Sequence, residues 1–420
     1  MQTPTQGPHQ SPDPSTPSTP STPSTIWIHK AYQSQFDLLG AMAAEIADAF
    51  NSIGYDARLI DIAHDPSPTQ GLFLFLNTPQ SLAQLPQALF TPNPTLKAVQ
   101  LHVDHPFALP DSIIDQWNQH NNLENFHLHL PCLDDAHLLR PRFPNLIHSW
   151  TPHGIPKSTL SNPDHITQHH HANRPFDVVC TGSIRSQDEI DKGLNALDQS
   201  MTIMVNDVVH LMLKEPWLGY VAAVDLALGS RGVITGNWST QKHFWGLVTA
   251  IVNRHRRTQT VQSLQGLKVG VFGSSAWKEH CTGTIEYVGE VAYADSASAF
   301  AQGRIGLAWG PTQFVHSYSE RIMQAMAGGS CVIADDRLLV RRDFNGAASP
   351  AGDTVRLFDW GDPNAARAAA DAQLADPQGA LAMAKRAREL VEQTCLWTHR
   401  VGAMVDVHPS SPAPVSPVAQ

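Results

Sequence analysis

HSYSERIMQAMAGGSCVIAD, residues 316–335, decides the fold, because it predicts a helix, a glycine break and a buried strand in immediate succession. The apolar face of the helix is formed by Ile322, Met323, Ala325 and Met326. Gly328 and Gly329 end the helix, and residues 331–334 begin the strand. A glycine-lined turn beside a strand lets backbone approach a ligand closely, so the stretch predicts one wall of a ligand-binding crevice.

The same stretch concentrates polar side chains on one short element. These are His316, Ser319, Glu320, Arg321 and Gln324. The position of Arg321 near the glycines predicts a phosphate-binding residue, since a guanidinium neutralises the charge that a leaving phosphate gains. A surface ion pair between Arg321 and Glu320 is the alternative.

Short apolar runs alternate with helical patterns through the first part of the chain. The predicted strands are residues 26–28, 57–61, 72–76, 98–102, 126–130 and 147–150, and a helix is predicted over residues 36–53. Strands that alternate with helices indicate a parallel sheet. We therefore predict one Rossmann-like domain over residues 26–155.

A second α/β unit is predicted over residues 176–400. Its strands are residues 176–180, 267–272 and 305–309 and the strand of the opening stretch, its middle part (187–261) is mainly helical, and its closing helix covers 381–391. The predicted fold class is therefore α/β, with two doubly wound Rossmann-like domains that face a cleft. Parallel sheets bind ligands at the carboxyl ends of their strands, so the cleft is the expected site.

Three segments outside these domains are polar. Residues 1–25 contain Ser-Thr-Pro repeats that cannot pack a core, and we predict that this leader and the tail at 401–420 are disordered. Residues 156–175 are predicted to form a linker, which includes the three histidines 169–171. Adjacent histidines in a polar linker rarely hold one coordination geometry, so we predict a solvated linker and no metal site.

The composition limits the partners and the compartment. A formal net charge of -10 argues against binding to nucleic acid. Five widely spaced cysteines without a Cys-x-x-Cys pair argue against a disulfide framework or a zinc site, and they suit a reducing cytoplasm. The sequence shows no signal peptide and no stretch of transmembrane length, so we expect a cytoplasmic protein and leave peripheral membrane contact open.

Strand-end motifs occur in a fixed order in the second half of the chain. They are Asp177-Val-Val-Cys-Thr-Gly-Ser183, Leu267-Lys-Val-Gly-Val-Phe-Gly273 with Trp277, Tyr287-Val-Gly289 with Val291-Ala-Tyr293, and Arg321-Ile-Met-Gln-Ala-Met-Ala-Gly-Gly329 with Ala334-Asp335. The segment Trp150-Thr-Pro-His-Gly154 lies between the two predicted domains. With these motifs, the chain between residues 98 and 400 resembles the GT-B glycosyltransferases of the group 1 type, and within them the spore-maturation CgeB-like proteins.

The resemblance implies transfer of a sugar from a nucleotide-diphosphate-sugar donor to an acceptor hydroxyl. The second domain would bind the donor, and the first would bind a glycan, lipid or protein acceptor. The resemblance also implies retention at the anomeric carbon, no metal, no cofactor, and a role in glycan or cell-surface glycoconjugate biosynthesis. Two alternatives stay open, namely a sugar-nucleotide epimerase and a non-catalytic binding protein with the same fold.

The donor-binding residues implied by the resemblance lie at strand ends and on the opening helix. They are Gly182, Ser183, Gly273, Trp277, His316, Ser319, Gln324, Gly328 and Gly329. The glycine turns would present backbone N–H groups to phosphate, and ordinary turn glycines are the alternative. Trp277 is either a nucleobase contact or core packing. His316 and Gln324 stand where the wider group often has two glutamates, and Gln324 can still hydrogen-bond a ribose hydroxyl.

The catalytic candidates are Asp104, His105 and Arg321. Asp104 and His105 follow a strand of the first domain, where a carboxylate or a histidine that faces the cleft would orient the acceptor hydroxyl or act as its base. An Asp-His-Pro sequence is also a plausible strand-ending turn with a structural histidine. Arg321 would neutralise the donor diphosphate. His153, at the predicted domain junction, either lines the cleft or shapes the hinge.

Overall fold

The computed structural model describes residues 25–30, 37–77, 86–90, 95–109, 111–119, 123, 125–132, 134–229, 237–346 and 352–405. The predicted leader up to residue 24 and the predicted tail beyond residue 405 lie outside the described residues. Within the described part of the chain, no helix combines the length and the apolarity that crossing a bilayer requires.

The first domain is built on a six-stranded parallel sheet in the order β2-β1-β3-β4-β5-β6. The strands are β1 (Ile26–His29), β2 (Ala57–Ile60), β3 (Gly71–Leu76), β4 (Leu96–Leu101), β5 (Phe126–Leu130) and β6 (Ile147–Trp150). The helices are α1 (Leu38–Ser52), α2 (Asp111–Gln119) and α3 (Asp135–Leu139). Each strand lies within two residues of its predicted bounds, and β1, β3, β4 and β5 are largely buried in the sheet.

The second domain contains another six-stranded parallel sheet, in the order β12-β11-β10-β7-β8-β9. The strands are β7 (Phe176–Thr181), β8 (Val269–Phe272), β9 (Ile285–Gly289), β10 (Gly303–Ala308), β11 (Cys331–Asp335) and β12 (Val355–Phe358). The strand order reverses between β7 and β10, so the carboxyl ends of these two strands form a crevice of the kind that binds nucleotides. The fold class predicted from the sequence is confirmed for the described residues.

Eleven α-helices follow β6 in the described part of the chain. They are α4 (Gln168–Ala172), α5 (Gln187–Asn195), α6 (Gln199–Lys214), α7 (Tyr220–Leu228), α8 (Trp238–Ser263), α9 (Ser296–Phe300), α10 (Glu320–Ala327), α11 (Leu338–Phe344), α12 (Pro363–Ala375), α13 (Pro377–Thr394) and α14 (Val401–Val405). Ser186 begins α5 with a capping box, and Asn237 caps α8. α8 also contacts the first domain, where Lys242 Nζ donates to Leu109 O at 3.1 Å.

The opening stretch forms α10, a glycine turn and β11, as predicted. A Cβ atom on Gly328 would lie 2.4 Å from Ala297 O, so this position accepts only glycine without a backbone shift. Gly329 has a φ of 71°, in the left-handed region that favours glycine. The turn therefore packs the end of α10 against α9, at the amino end of β11.

The chain returns to the first domain after α13. Trp397, Val401 and Met404 are buried in one apolar cluster with residues of α1. The predicted tail from residue 401 is therefore wrong for residues 401–405, which form α14. The segment is too short for its apolar residues to predict a helix, and only the contact with α1 shows why they are buried.

The predicted linker at 156–175 packs against the second domain. Ser161 N donates to Ala327 O at 2.8 Å, and Ile166 is buried. Arg174 Nη1 donates to Gly303 O at 2.7 Å. The short helix α4 contains two exposed histidines and the buried His171. These contacts fix the segment on the surface of the second sheet.

Candidate functional site

A cavity of about 390 Å³ lies between the two domains, at the carboxyl ends of both sheets. The first domain lines it with Leu38, Leu39, Met42, Asn77, Val103 and Asp104. The second domain lines it with several predicted donor-binding residues, namely Gly182, Ser183, Gly273, Ser319, Arg321 and Gln324. His153 lines the cavity at the domain junction. The two-domain cleft expected from the sequence is therefore present.

The turn after β7 forms the floor of the cavity. Gly182 has a φ of 142°, and its carbonyl accepts a 2.6 Å hydrogen bond from Trp277 Nε1. A Cβ atom on Gly273 would lie 2.3 Å from Gly182 O, so the turns after β7 and β8 contact each other directly. Trp277 is fully buried and stacks on Trp309. Trp277 therefore supports the turn from within the core and does not line the cavity.

Two guanidinium groups, Arg257 and Arg321, line the same part of the cavity. Arg257 projects from α8, and its Nη1 donates to Ser183 O at 2.6 Å. Burial, together with the nearby charges of Arg321 and Arg337, lowers the pKa of Arg257 to about 9, and at this value Arg257 is still charged at neutral pH. Arg321 is the second residue of α10, and its Nη1 donates to Ser319 Oγ at 3.4 Å. Arg257 was not among the site residues predicted from the sequence, because it lies inside a long helix without a recognisable motif.

Three buried polar atoms around this turn have no hydrogen-bond partner within the described part of the chain. They are Ser183 Oγ, Arg257 Nε and Trp309 Nε1. A Cβ atom on Gly182 would lie 3.1 Å from Trp309 Nε1 and 3.5 Å from Arg257 Nη1, so these groups surround one point of the turn. Two of the three atoms can only donate, and the hydroxyl can donate as well. The arrangement is suited to an anion with several acceptor oxygens.

Further arginines lie behind Arg257. Arg256 and Arg337 both pack on the ring of Trp360, at 3.9 and 4.2 Å from its centroid. Arg337 is fully buried and pairs with Asp335, with 2.5 Å between Nε and Oδ2. A second cavity of about 20 Å³ separates these groups from the main cavity. Positive charge is therefore concentrated at the switch point of the second sheet.

His153 and Glu320 form a buried pair at the domain junction. His153 Nδ1 lies 2.9 Å from Glu320 Oε2. Burial raises the pKa of Glu320, but the hydrogen bond from His153 and the charge of Arg321 outweigh this and lower it to about 2. The edge of the His153 ring packs against Phe314. His153 therefore lines the cleft, one of the two roles that the sequence left open.

Asp104 lies on the opposite wall, at the end of β4. Its Oδ1 accepts hydrogen bonds from His105 N at 2.9 Å and from Gln313 Nε2 at 2.8 Å. Burial raises the pKa of Asp104, although these two hydrogen bonds and the charge of Arg321 lower it in part. The bond to Gln313 connects the two domains across the cleft. Asp104 is thus the acidic group that the first domain presents to the cavity.

The structure places His105 away from the cavity. Its ring is buried between Phe107 and Trp245, with centroid distances of 5.2 and 5.0 Å. Its Nδ1 accepts a hydrogen bond from Phe107 N, which caps the following turn. Burial lowers the pKa of His105 to about 3. The predicted catalytic position of His105 is wrong, because the Asp-His-Pro turn directs this ring into the core.

Three more predicted donor-binding residues lie outside the cavity. Gly328 and Gly329 are at the amino end of β11, the edge of the sheet opposite the cleft. His316 Nδ1 lies 2.6 Å from Asp134 Oδ2 in the first domain. This hydrogen bond raises the pKa of His316 despite its partial burial. None of these three residues lines the cavity, and His316 instead connects the domains.

The described residues contain no cluster of three or more His, Cys, Asp or Glu side chains that could hold a metal ion. All five cysteines belong to the described part of the chain and are free. The polar groups that line the cavity are therefore arginines, hydroxyls, two glutamines, two asparagines, His153 and the carboxylates described above.

Residues 254–406 match the family model described as glycosyl transferase-like. No curated protein sequence matches the chain significantly. Sucrose-phosphate synthase from Thermosynechococcus elongatus has a similar structure, with a TM-score of 0.50 and 10% identity, over 91% of this chain and 96% of that chain. T4 phage β-glucosyltransferase is also similar, with a TM-score of 0.51 and 12% identity, over 91% of this chain and 99% of that chain. Anabaena HepE, whose structure was solved with UDP-glucose, has a TM-score of 0.50 and 10% identity, over 90% of this chain and 98% of that chain.

These structural similarities show that the chain has the GT-B fold, as the sequence predicted. The carboxyl-terminal part of the chain is a glycosyl transferase-like domain. The predicted enzyme class, a glycosyltransferase, is confirmed by this match together with the fold.

Proposed function

We propose that this glycosyltransferase moves a sugar from a nucleotide-diphosphate-sugar donor to an acceptor hydroxyl in the cleft between its domains. The observation that carries the proposal is the pair Arg257 and Arg321 beside the turn after β7. This pair lies at the point of the second sheet where the strand order reverses, which is where doubly wound sheets bind nucleotides.

The charges on this wall favour a diphosphate. Among the described residues that line or border the two cavities, the second domain contributes four guanidinium groups, from Arg256, Arg257, Arg321 and Arg337. It contributes two carboxylates there, from Glu320 and Asp335. Four positive and two negative charges leave a surplus of two positive charges. A diphosphate diester carries one negative charge on each phosphate and would balance this surplus.

The same arginines supply the leaving-group chemistry. As the bond between the sugar and the diphosphate breaks, negative charge grows on the phosphate oxygen, and buried donors already aimed at it lower the barrier. Arg257 and Ser183 line the cavity, and we propose that Arg257 Nε and Ser183 Oγ, which have no hydrogen-bond partner among the described residues, are such donors. We propose that these side chains replace a divalent ion, so the reaction is metal-independent. We also propose that it proceeds with retention, on the strength of the sequence resemblance to the group 1 type.

The first domain would bind the acceptor, with Asp104 contacting the hydroxyl that reacts. The CgeB-like resemblance supports a role in glycan or cell-surface glycoconjugate biosynthesis, and the free cysteines support a reducing, cytoplasmic location. UDP-glucose, which Anabaena HepE binds, is the first donor to test. The anomeric proton coupling of the product, measured by NMR, reports retention or inversion.

Calorimetric titration with UDP, GDP, ADP and TDP and their glucose conjugates tests donor binding. We expect one nucleotide to bind, and Arg321→Gln to weaken it about 10–100-fold, because a hydrogen bond to a charged group contributes about 1.5–3 kcal/mol. Arg341→Gln is the matched control, since Arg341 is exposed and pairs with Asp336 on the surface of the same domain. Binding that is absent, or equally weakened by both variants, would contradict the proposal.

Product analysis separates the two alternatives. An epimerase would alter the sugar nucleotide without an acceptor. A non-catalytic binding protein would bind the sugar nucleotide but release no nucleoside diphosphate with any acceptor. The proposed transferase releases nucleoside diphosphate and glycosylated acceptor in equal amounts.

A further inference from the structure

One atom that borders the cavity has no role in the contacts described so far. His153 is fully buried, and its Nδ1 is occupied by Glu320. Its other ring nitrogen, Nε2, is buried and has no hydrogen-bond partner among the described residues. A buried polar atom without a partner is uncommon in folded proteins and calls for an explanation at each site. Because His153 lines the cavity, a bound ligand is a candidate partner.

The chemistry of Glu320 decides what that partner must be. Glu320 is ionised at neutral pH, so it can only accept a hydrogen bond. His153 Nδ1 must therefore carry the proton and donate it to Glu320. When the ring is neutral, Nε2 is an acceptor, and a ligand hydroxyl can donate a hydrogen bond to it.

The position of the pair indicates which part of the ligand it meets. Glu320 directly precedes Arg321 on α10, so His153 is adjacent to the proposed diphosphate position. Asp104, on the acceptor wall, lines the same cavity as His153. The pair thus lies between the diphosphate wall and the acceptor wall. In a donor bound by its diphosphate, the group that occupies this space is the sugar.

We propose that His153, held in one tautomer by Glu320, binds a hydroxyl of the transferred sugar and thereby helps to select the donor. This inference rests on the proposed function, because the sugar reaches His153 only if the diphosphate lies on the arginine wall. His153 is a specificity residue in this account, and the sugar hydroxyl donates to its Nε2. Glu320 is a positioning residue that acts through His153.

The test compares a nucleoside diphosphate with its sugar conjugate, using UDP and UDP-glucose and, if these do not bind, the other pairs of the nucleotide panel. His153→Asn keeps an amide N–H for Glu320 and removes the Nε2 acceptor. We expect the Kd for the sugar conjugate to rise about 3–10-fold, the range of one neutral hydrogen bond, while the Kd for the diphosphate stays unchanged. Glu320→Gln, which no longer fixes the tautomer, should change the Kd in the same selective way with a smaller factor.

Deoxy analogues of the bound donor provide the readout that a structural role would not affect. One of the 2-, 3-, 4- and 6-deoxy sugar conjugates should bind wild-type protein more weakly by the same factor, and His153→Asn should lose nothing further with that analogue. Equal weakening of diphosphate and conjugate, or no change in either, would overturn the inference. If His153→Asn does not fold, Glu320→Gln and the analogues decide. Absence of nucleotide binding to the wild-type protein would overturn the proposed function, and this site with it.

Discussion

Because of Glu45 in α1, the free energy of unfolding of this protein should decrease as the pH rises from weakly acidic to neutral. Its Oε2 accepts hydrogen bonds from Trp397 Nε1 at 2.9 Å and from Tyr293 OH at 3.4 Å. Tyr293 belongs to the second domain, and Trp397 belongs to the segment that returns from it. Burial, with the charges of Glu320 and Asp48, outweighs the two hydrogen bonds and raises the pKa of Glu45 to about 7.

The direction of the effect follows from which state loses the proton first. The carboxyl of the unfolded chain ionises near 4.5, and that of the folded protein near 7. Between these values the unfolded state releases its proton while the folded state keeps it, so the folded state loses stability as the pH rises. The difference of 7 minus 4.5 corresponds to about 3 kcal/mol at 1.36 kcal/mol for each pKa unit. Above about pH 7 no further loss from Glu45 is expected.

Glu45→Gln removes this titration and keeps an acceptor oxygen for Trp397. We expect the free energy of unfolding of the variant, relative to wild type, to increase by about 2–3 kcal/mol between pH 4.5 and pH 7.5. Urea unfolding at several pH values measures it, with Glu389→Gln as the control because Glu389 is exposed on α13. A difference between Glu45→Gln and wild type that does not change with pH would refute the reasoning.

Two further predictions concern the cavity. Asp104→Asn should lower kcat at least about 10-fold and leave the Kd for nucleotide unchanged. The reason is that the proposed partner of Asp104 is the acceptor hydroxyl. An equal loss of nucleotide binding would contradict this assignment. Gly182→Ala should cost about 1–3 kcal/mol of stability and weaken nucleotide binding, because it adds a Cβ at a φ of 142° and only 3.1 Å from Trp309 Nε1. Thermal unfolding and calorimetry measure both effects, with Gly246→Ala as the control, since nothing lies within 4 Å of a Cβ atom there; the same outcome for both glycine variants would contradict the strain argument.

The sequence was sufficient for the strands whose apolar runs are buried on both faces. β3 and β11, for example, lie within one residue of the predicted bounds. β9 and β12 were not predicted; each is an edge of the second sheet and includes an exposed charged side chain, Glu286 in β9 and Arg356 in β12. Edge strands lack the continuous apolar run that marks a central strand of a parallel sheet.

The candidate site was predicted only in part, for a physical reason that differs between residues. Gly182, Ser183 and Gly273 follow strand ends, a position that local sequence reveals, and all three line the cavity. Gly328 and Gly329 also form a glycine turn, but this turn precedes β11 and so lies at the amino end of the strand, away from the cavity.

Other contacts could not be predicted because they join distant parts of the chain. Arg257 reaches Ser183 across 74 positions, and His153 reaches Glu320 across 167. Trp397 contacts Glu45 across 352 positions. Each of these pairs depends on how two elements pack, and the local sequence around one partner does not identify the other. Arg257 in particular has the sequence surroundings of an ordinary basic helix.

The central claim is that the arginine wall of the second domain binds the diphosphate of a sugar nucleotide. A crystal structure of the protein with a bound nucleotide-diphosphate sugar tests it most directly. We predict that the diphosphate oxygens lie within hydrogen-bond distance of Arg257 and Arg321, beside the Gly182-Ser183 turn, with the sugar directed toward His153. A diphosphate bound elsewhere, or one without contact to either arginine, would contradict the account.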